Sequence, residues 1–484
     1  MQARPNILVV VSDTFRMDHL GIYGNAFIRT PHLDALARSG VVFENHLVAS
    51  FPTMPARADI LTGTFSCTHM GWEPLPHHLP TLPEVLSRAG YTTMAVVDTP
   101  FFIRGGYGYD RGFDDFIWVR GQGDDTRPEE RADARRTWRR ESDRMVARTI
   151  TEAERWLERH YEEPFFLYVD TWDPHEPWDA PEYYTRLYRP GYDGKKIYPA
   201  YGRWREAGLT EGDVELAHAT YCGEVTMVDR WVGWLLEKLE VLGIAEKTVV
   251  FFLSDHGFYF GEHGYFGKAE WVHAPEAEIS EGARLPDWLR RSWLLTVGWS
   301  PLYGEVTRIP LIVRMPGVAP GRRSALTCAP DLAPTILDLV GVEKPSSMRG
   351  ISFLDVVEGK KEEHRPFVVS SWPLYFAEGE ITVAVDSRPR RISSYMPLTV
   401  TTRERSLLVG GPQETPELYD LAQDPAERHN IWETATGEGT HLLARAIEFL
   451  EEQGTPEKHL TPRRAVLVKY TGGRYPADIS KEAG

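Results

Sequence analysis

A chain of 484 residues exceeds one ordinary small domain and predicts a large core with a smaller unit beside it. With 42% hydrophobic and 26% charged residues it has the composition of a soluble globular protein. A formal charge of -16 argues against nucleic acid as a general partner, because no net basic field would draw in a phosphate backbone. No stretch approaches membrane-spanning length, so no membrane partner is expected. Cys67, Cys222 and Cys328 are odd in number and widely spaced, which excludes a disulfide framework and any zinc-like cysteine spacing. They read as buried thiols in a reducing compartment. The first apolar run, Ile7 to Val11, is shorter than a signal-peptide core, and the expected location is cytoplasmic.

That run is a continuous β-branched and aliphatic segment, as expected of a strand buried on both faces of a parallel sheet, and Asp13 follows its carboxyl end. Thr30 to Gly40 carries helix signals at both ends, with Pro31 at the first position and Gly40 past the last. Val41-Val42-Phe43 predicts a short strand. It leads to Ala49 to Gly63, where Thr53 stands at a proline-marked helix start with Arg57 one turn in. A hydroxyl there faces unpaired backbone N–H groups and the positive end of the helix dipole, which favours an anion or an alkoxide. A simple N-cap is the competing role. Pro80 to Gly90 repeats the helix pattern before a strand, Thr92 to Val97, that ends at Asp98.

Residues 101–140 show no clean period and predict an irregular excursion, in which Arg120 is either an anion contact or a salt-bridged loop residue. Arg148 to His160 predicts a helix. Phe165 to Val169 predicts a strand ending in Asp170-Thr171-Trp172-Asp173-Pro174-His175. Asp213 to Leu242 predicts a long helix, and Thr248 to Leu253 a strand running into Ser254-Asp255-His256-Gly257. Residues 269–300, with four tryptophans, read as a lid or as a contact between copies in a homo-oligomer. A strand at Pro310 to Arg314 and a helix at Pro330 to Val340 follow, and a last helix spans His441 to Gln453.

This alternation predicts an α/β fold: a large, mostly parallel sheet flanked by helices over residues 1–359, with a smaller C-terminal α+β subdomain over 360–484. Ligands of such sheets bind beyond the carboxyl ends of the strands. Asp13, Asp98, Asp170, Asp173, His175, Asp255 and His256 all lie just past such ends. Carboxylates and imidazoles converging there call for a cation, and the set suits a divalent metal.

The residues resemble the sulfatase branch of the alkaline phosphatase superfamily. The resemblance rests on Pro5 to Asp13, Thr30 to Gly40, Pro55-Ala56-Arg57 with Leu61-Thr62-Gly63, Asp173-Pro174-His175, Ser254 to Gly257, Gly261 to Gly264 with Gly267-Lys268, and Asp331 to Thr335. Glu417 to Leu421 with Asp424-Pro425 matches the family's closing motif. It implies one divalent cation held by Asp13, Asp255 and His256 against a nucleophile at position 53. Arg57, His175 and Lys268 would meet the anionic oxygens or the leaving group of a small anionic ester.

The departures from the family matter as much. Thr53 stands where sulfatases carry the Cys or Ser that becomes formylglycine, so no formylglycine is expected. Thr14 replaces the second Asp of the first motif, and Asp98 and Pro100 replace a Lys and a His of the sulfate pocket. A formylglycine hydrate expels sulfate through its second hydroxyl. Threonine has one hydroxyl, so water must cleave its ester, as in phosphatase relatives that pass through phospho-threonine. The first reading is therefore a phosphate mono- or diesterase with Thr53 as nucleophile. A sulfatase using unmodified Thr53 is second, and a non-catalytic metal-binding protein is third. His256 favours Mn or Zn over Ca as the metal. Asp98 leaves room for a second cation with Asp170, Asp173 or His175. Trp172, Trp178 and Trp271 are candidates to frame a leaving-group pocket or to belong to the core.

Overall fold

A computed structural model describes residues 4–100, 107–121, 138–195, 197, 201–273, 294–374, 381–385, 388–392, 397–411 and 414–472. Eight strands form its main sheet: β1 (Asn6–Ser12), β2 (Val41–Leu47), β3 (Thr92–Val97), β4 (Asp115–Trp118), β5 (Phe165–Thr171), β6 (Thr248–Ser254), β7 (Leu311–Arg314) and β8 (Gly321–Cys328). Their spatial order is β8-β2-β7-β6-β1-β5-β3-β4. β7 pairs antiparallel with β2 and β6, whereas the other pairings are parallel.

β1 is central, and its side chains alternate between two cores: Ile7, Val9 and Val11 on one face, Leu8 and Val10 on the other. Helices α1 (Pro31–Arg38), α4 (Met145–His160) and α5 (Glu211–Val241) cover the Leu8 face. Helices α2 (Thr53–Thr62), α3 (Leu82–Arg88) and α6 (Leu332–Leu339) cover the Ile7 face. The α/β class and the mostly parallel sheet are as the sequence predicts.

Two strands of the main sheet escaped the sequence reading. β4 lies inside the stretch read as irregular. It is an edge strand, half-exposed and opened by a charged residue, so it has no apolar period to detect. β8 begins Gly321-Arg322-Arg323 and turns apolar only in its second half. Of residues 269–300, Ala269–His273 and Leu294–Trp299 pair antiparallel, and residues 274–293 lie outside the described chain.

A separate antiparallel sheet, β9 (Val368–Ser371), β10 (Leu398–Thr401), β11 (Arg405–Val409) and β12 (Glu417–Asp420), packs its own core under α7 (Thr436–Glu452) and α8 (Glu457–Thr471). α8 has no counterpart in the sequence reading, because Pro462 sits inside it. β9 also grips the segment before Thr53. Ser371 donates its N–H to the carbonyl of Ala49 at 2.8 Å and accepts from the N–H of Phe51 at 2.9 Å, and Ser370 Oγ donates to the Val48 carbonyl at 2.5 Å. Trp372 meets Phe51 edge-on, with ring centroids 4.6 Å apart, and Phe51 in turn lies 4.9 Å from the His256 ring. No helix among the described residues is long and apolar enough to cross a membrane.

The Trp372 side chain is 1% exposed and its indole N–H reaches the Ser300 carbonyl at 3.0 Å. Trp372→Ala is expected to cost about 3–5 kcal/mol, the usual range for emptying an aromatic site in a core. Urea unfolding of the two proteins measures it.

Candidate active site and metal centre

The ends of β1, β5 and β6 lie side by side in register: Ser12 pairs with Thr171 and with Ser254, so Asp13, Asp170 and Asp255 arrive at one edge. α2 runs under that edge and supplies Thr53 and Arg57 from successive turns. Pro52, not Thr53, occupies the cap position of α2, and the structure gives that cap no side-chain hydrogen bond. Thr53 Oγ1 instead lies 3.2 Å from Nε2 of His256. The helix closes at Gly63, whose φ of 61° suits the missing side chain. Gly257 has a different reason to be glycine: a Cβ there would sit 1.9 Å from the Glu305 carbonyl oxygen.

Arg57 is fully buried and its guanidinium joins the carboxylates. Nε and Nη2 fork onto Asp170 at 2.9 and 2.8 Å, while Nη1 reaches Asp255 Oδ2 at 2.5 Å, Asp13 Oδ2 at 3.0 Å and the Thr53 carbonyl at 3.1 Å. Burial alone would lower its pKa, but Asp170, Asp255 and Asp13 hold it well above the ordinary value. Thr99 Oγ1 and Tyr168 Oη also donate to Asp170, at 2.6 and 2.8 Å.

Asp13, Asp255 and His256 bring one potential ligand atom each to within 4.8 Å of the others. His256 Nδ1 lies 2.9 Å from the Gly257 carbonyl, which only accepts, so Nδ1 carries the proton and Nε2 is a bare lone pair. Burial first, and then Lys268, push His256 well below its ordinary pKa, so the ring is neutral. Its lone pair faces Asp255 Oδ2 at 3.3 Å, and buried Asp13 Oδ2 has an ionic contact with Arg57 but no aligned hydrogen bond. Three electron-rich atoms turned on one another fit a cation between them. A ligand imidazole that gives its other N–H to a backbone carbonyl is the usual arrangement. The residues present therefore suit a divalent metal.

Thr14 shapes the rim. Its φ of 61° is unusual for a β-branched residue and aims its N–H at Asp255 Oδ1, 2.9 Å away, while Oγ1 donates to Asp13 Oδ1 at 2.6 Å. Lys268 Nζ lies 3.3 Å from His256 Nε2 and 3.5 Å from Thr14 Oγ1. His175 stacks on Trp172, with centroids 3.8 Å apart, and donates from Nδ1 to the Glu176 carbonyl at 2.7 Å. Burial, then Lys268, lower its pKa well below the ordinary value.

Sequence reasoning passed over Glu176. Its carboxylate lies 3.2 Å from His175 Nδ1, it accepts from Tyr201 Oη, and burial pushes it up to about 7. Its position beside His175 was the signal.

Other candidates lie apart from this cluster. Asp98 accepts from the Trp172 N–H at 2.5 Å, from Thr149 at 2.7 Å and from Thr171 at 3.3 Å. Burial, then Asp173, raise its pKa well above the carboxylate range. Asp173 accepts from the Val146 N–H at 3.1 Å. These two tie β5 to α4, and among the described residues they join no group of three metal ligands. Arg120 lies over the Trp118 ring at the end of β4. Trp178 packs among Tyr221, Phe258, Phe260 and Phe266 in the core. The side chain of Trp271 lies outside the described residues.

This fold is the one shared by solved sulfatases and phosphonate monoester hydrolases. The Sulfatase family model matches residues 5–342, and a second model, N-sulphoglucosamine sulphohydrolase C-terminal, matches residues 300–452. An arylsulfatase of Clostridium perfringens is 25% identical, covering 88% of this chain and 90% of its own. The multifunctional alkaline phosphatase superfamily protein PehA of Trinickia caryophylli is 26% identical over 75% of this chain and 79% of its own. The phosphonate monoester hydrolase of Agrobacterium radiobacter superposes with a TM-score of 0.71 at 22% identity, over 93% of this chain and 96% of that one. The chain belongs to the sulfatase family, and is a sulfatase-like hydrolase of sulfuric or phosphoric ester bonds.

Arg57→Leu leaves the Asp170, Asp255 and Asp13 carboxylates without their shared counter-ion. The expected loss is about 3–5 kcal/mol of stability, and Arg57→Lys restores only part of it because an ammonium cannot fork onto Asp170. Denaturant midpoints of the three proteins provide the comparison.

Proposed function

We propose that this chain is a metal-dependent phosphoric ester hydrolase that attacks phosphate mono- or diesters with the hydroxyl of Thr53. The observation that carries the reading is Thr53 Oγ1, on the first turn of α2 and 3.2 Å from His256 Nε2, beside a ligand trio that suits a cation. Asp13, Asp255 and His256 would hold the metal together with the Thr53 oxygen. The imidazole among them favours Mn or Zn over Ca. When bound, the metal supplies positive charge next to the nucleophile and the phosphoryl oxygens.

Charge balance supports an anionic substrate. Asp13, Asp170 and Asp255 outnumber Arg57 and Lys268 by one, so a divalent ion leaves the cluster with one net positive charge. Thr14 contributes to this by standing, without charge, where the family has a carboxylate. Arg57 has donors committed to Asp170, Asp255 and the Thr53 carbonyl, so it orients the strand ends. Lys268 is the cation nearer the surface, 6% exposed, and is assigned to the phosphoryl oxygens.

In the first step the Thr53 hydroxyl gives up its proton to solvent and Oγ1 forms a bond to phosphorus as the bond to the leaving oxygen breaks. An aryl oxide leaves without a proton. Water then attacks phosphorus as it loses a proton to His175, the bond to Oγ1 breaks, and the Thr53 oxygen takes a proton back from solvent to recover its hydroxyl. His175 is suited to this second step. It is neutral, its Nδ1 proton is committed to the Glu176 carbonyl, and Nε2 is free of a proton and able to take one from water. Positioning and charge do most of the work of phosphoryl transfer, and these are what the site offers.

Aryl phosphate monoesters, aryl phosphate diesters and aryl sulfates, assayed side by side with Mn2+ or Zn2+, test the proposal. Turnover is expected on at least one phosphate class, to exceed that on sulfates, to vanish in EDTA, and to fall ~10⁴-fold or more in Thr53→Ala, the scale seen when a nucleophile is removed. Undiminished activity in Thr53→Ala defeats the nucleophile. Faster sulfate hydrolysis supports a sulfatase using unmodified threonine, and inactivity on every ester supports the binding role.

A further inference from the structure

Away from the catalytic edge, on the Leu8 face of the sheet, α5 carries His218 and Cys222 one turn apart, so both project from one side of the helix. The turn Met17–His19 sets His19 against them. His19 Nε2 lies 2.8 Å from His218 Nε2, and His218 Nε2 lies 3.6 Å from Cys222 Sγ. A potential ligand atom from each of the three falls within 4.8 Å of the others. We propose that His19, His218 and Cys222 form a second metal site, for a borderline-soft divalent cation of the zinc kind.

His19 Nε2, His218 Nε2 and Cys222 Sγ are turned on one another. His19 Nδ1 lies 2.8 Å from Asp18 Oδ1, a carboxylate oxygen that only accepts, so Nδ1 carries a proton, and in the neutral ring Nε2 turns a lone pair toward His218. A cation among the three takes both lone pairs and the sulfur at once. Two imidazoles and a thiolate are a donor set for zinc-like ions. Tetrahedral zinc separates a nitrogen and a sulfur ligand by about 3.6 Å and two nitrogens by about 3.3 Å. The first matches the structure, and the second asks the half-buried His218 ring to move back by about half an ångström.

The surroundings fit a ligand site too. Asp18 holds the His19 ring as an outer-shell carboxylate should. It is itself forked by Arg16, with Nε–Oδ1 at 2.8 Å and Nη2–Oδ2 at 2.6 Å, while Arg16 Nη1 reaches Glu262 at 2.7 Å. One arginine, two carboxylates, a thiolate and a divalent ion sum to neutrality. Burial is the first cause that lowers His218 to about 4. Burial pushes the Cys222 thiol up to about 12, so cation binding breaks the S–H bond, forms the metal–sulfur bond and releases the proton to solvent. The reading of the cysteines as too scattered for a metal considered cysteine alone and passed over this His-x-x-x-Cys pair. An ion here would fasten the loop after Thr14 to α5, where Tyr221 already donates to the Thr14 carbonyl at 2.8 Å.

Cobalt(II) is the probe, because a thiolate ligand gives it a near-ultraviolet charge-transfer band that the oxygen- and nitrogen-lined catalytic cluster cannot produce. The full chain, stripped with chelator and titrated with Co2+, is expected to show this band. Zn2+ should bleach it, and Cys222→Ser should abolish it. His218→Gln should weaken cobalt binding at least tenfold. No band in the unaltered protein, or a band that persists in Cys222→Ser, overturns the proposal. The catalytic reading is untouched by either result, since it uses none of these residues.

Discussion

The guanidinium of Arg57 is the contact on which the catalytic edge depends. Three strand ends deliver three carboxylates to one water-free place, and separate burial of each would be prohibitive. One planar group with five N–H donors binds Asp170 through two parallel bonds and reaches Asp255 and Asp13 with a third nitrogen. It also donates to the Thr53 carbonyl, so the helix that carries the hydroxyl is fixed to the strands that carry the carboxylates. The carboxylates exceed the charge of that one guanidinium, and the remainder is what a cation beside His256 would balance.

The second constraint comes from the other end of the chain. The antiparallel C-terminal sheet packs its own core, yet its first strand, β9, also hydrogen-bonds the backbone of residues 48–51 just ahead of Thr53. Trp372 backs Phe51, and Phe51 backs the His256 ring. The small sheet is thus part of the support for the catalytic helix. This gives a physical reason for family resemblance to continue past the large sheet.

Much of this was legible in sequence, for identifiable reasons. Ile7 to Val11 and Thr248 to Leu253 are unbroken apolar runs, because both faces of a central parallel strand are buried, and the polar residues that end them mark the site edge. Asp13, Asp255, His256, Thr53, Arg57 and Lys268 fall together, with His175 beside them. Edge strands such as β4 gave no signal because half their surface faces water. The roles of neighbouring residues were harder still. Asp98 just follows β3 and Asp170 is the penultimate residue of β5, but one ties β5 to α4 and the other takes the arginine, a difference that only three-dimensional hydrogen bonding decides. The His19–His218–Cys222 cluster depends on packing between distant segments, for which local sequence carries no period.

The central claim is that the Thr53 oxygen, poised over a cation, takes up a phosphorus centre. Crystals soaked with manganese and orthovanadate test it most directly, since vanadate adopts the geometry of phosphoryl transfer. The account predicts an anomalous manganese peak bounded by Asp13, Asp255 and His256, and vanadium bonded to Thr53 Oγ1 with Lys268 on its oxygens. Manganese absent from those three residues, or vanadate seated away from Thr53, would contradict it.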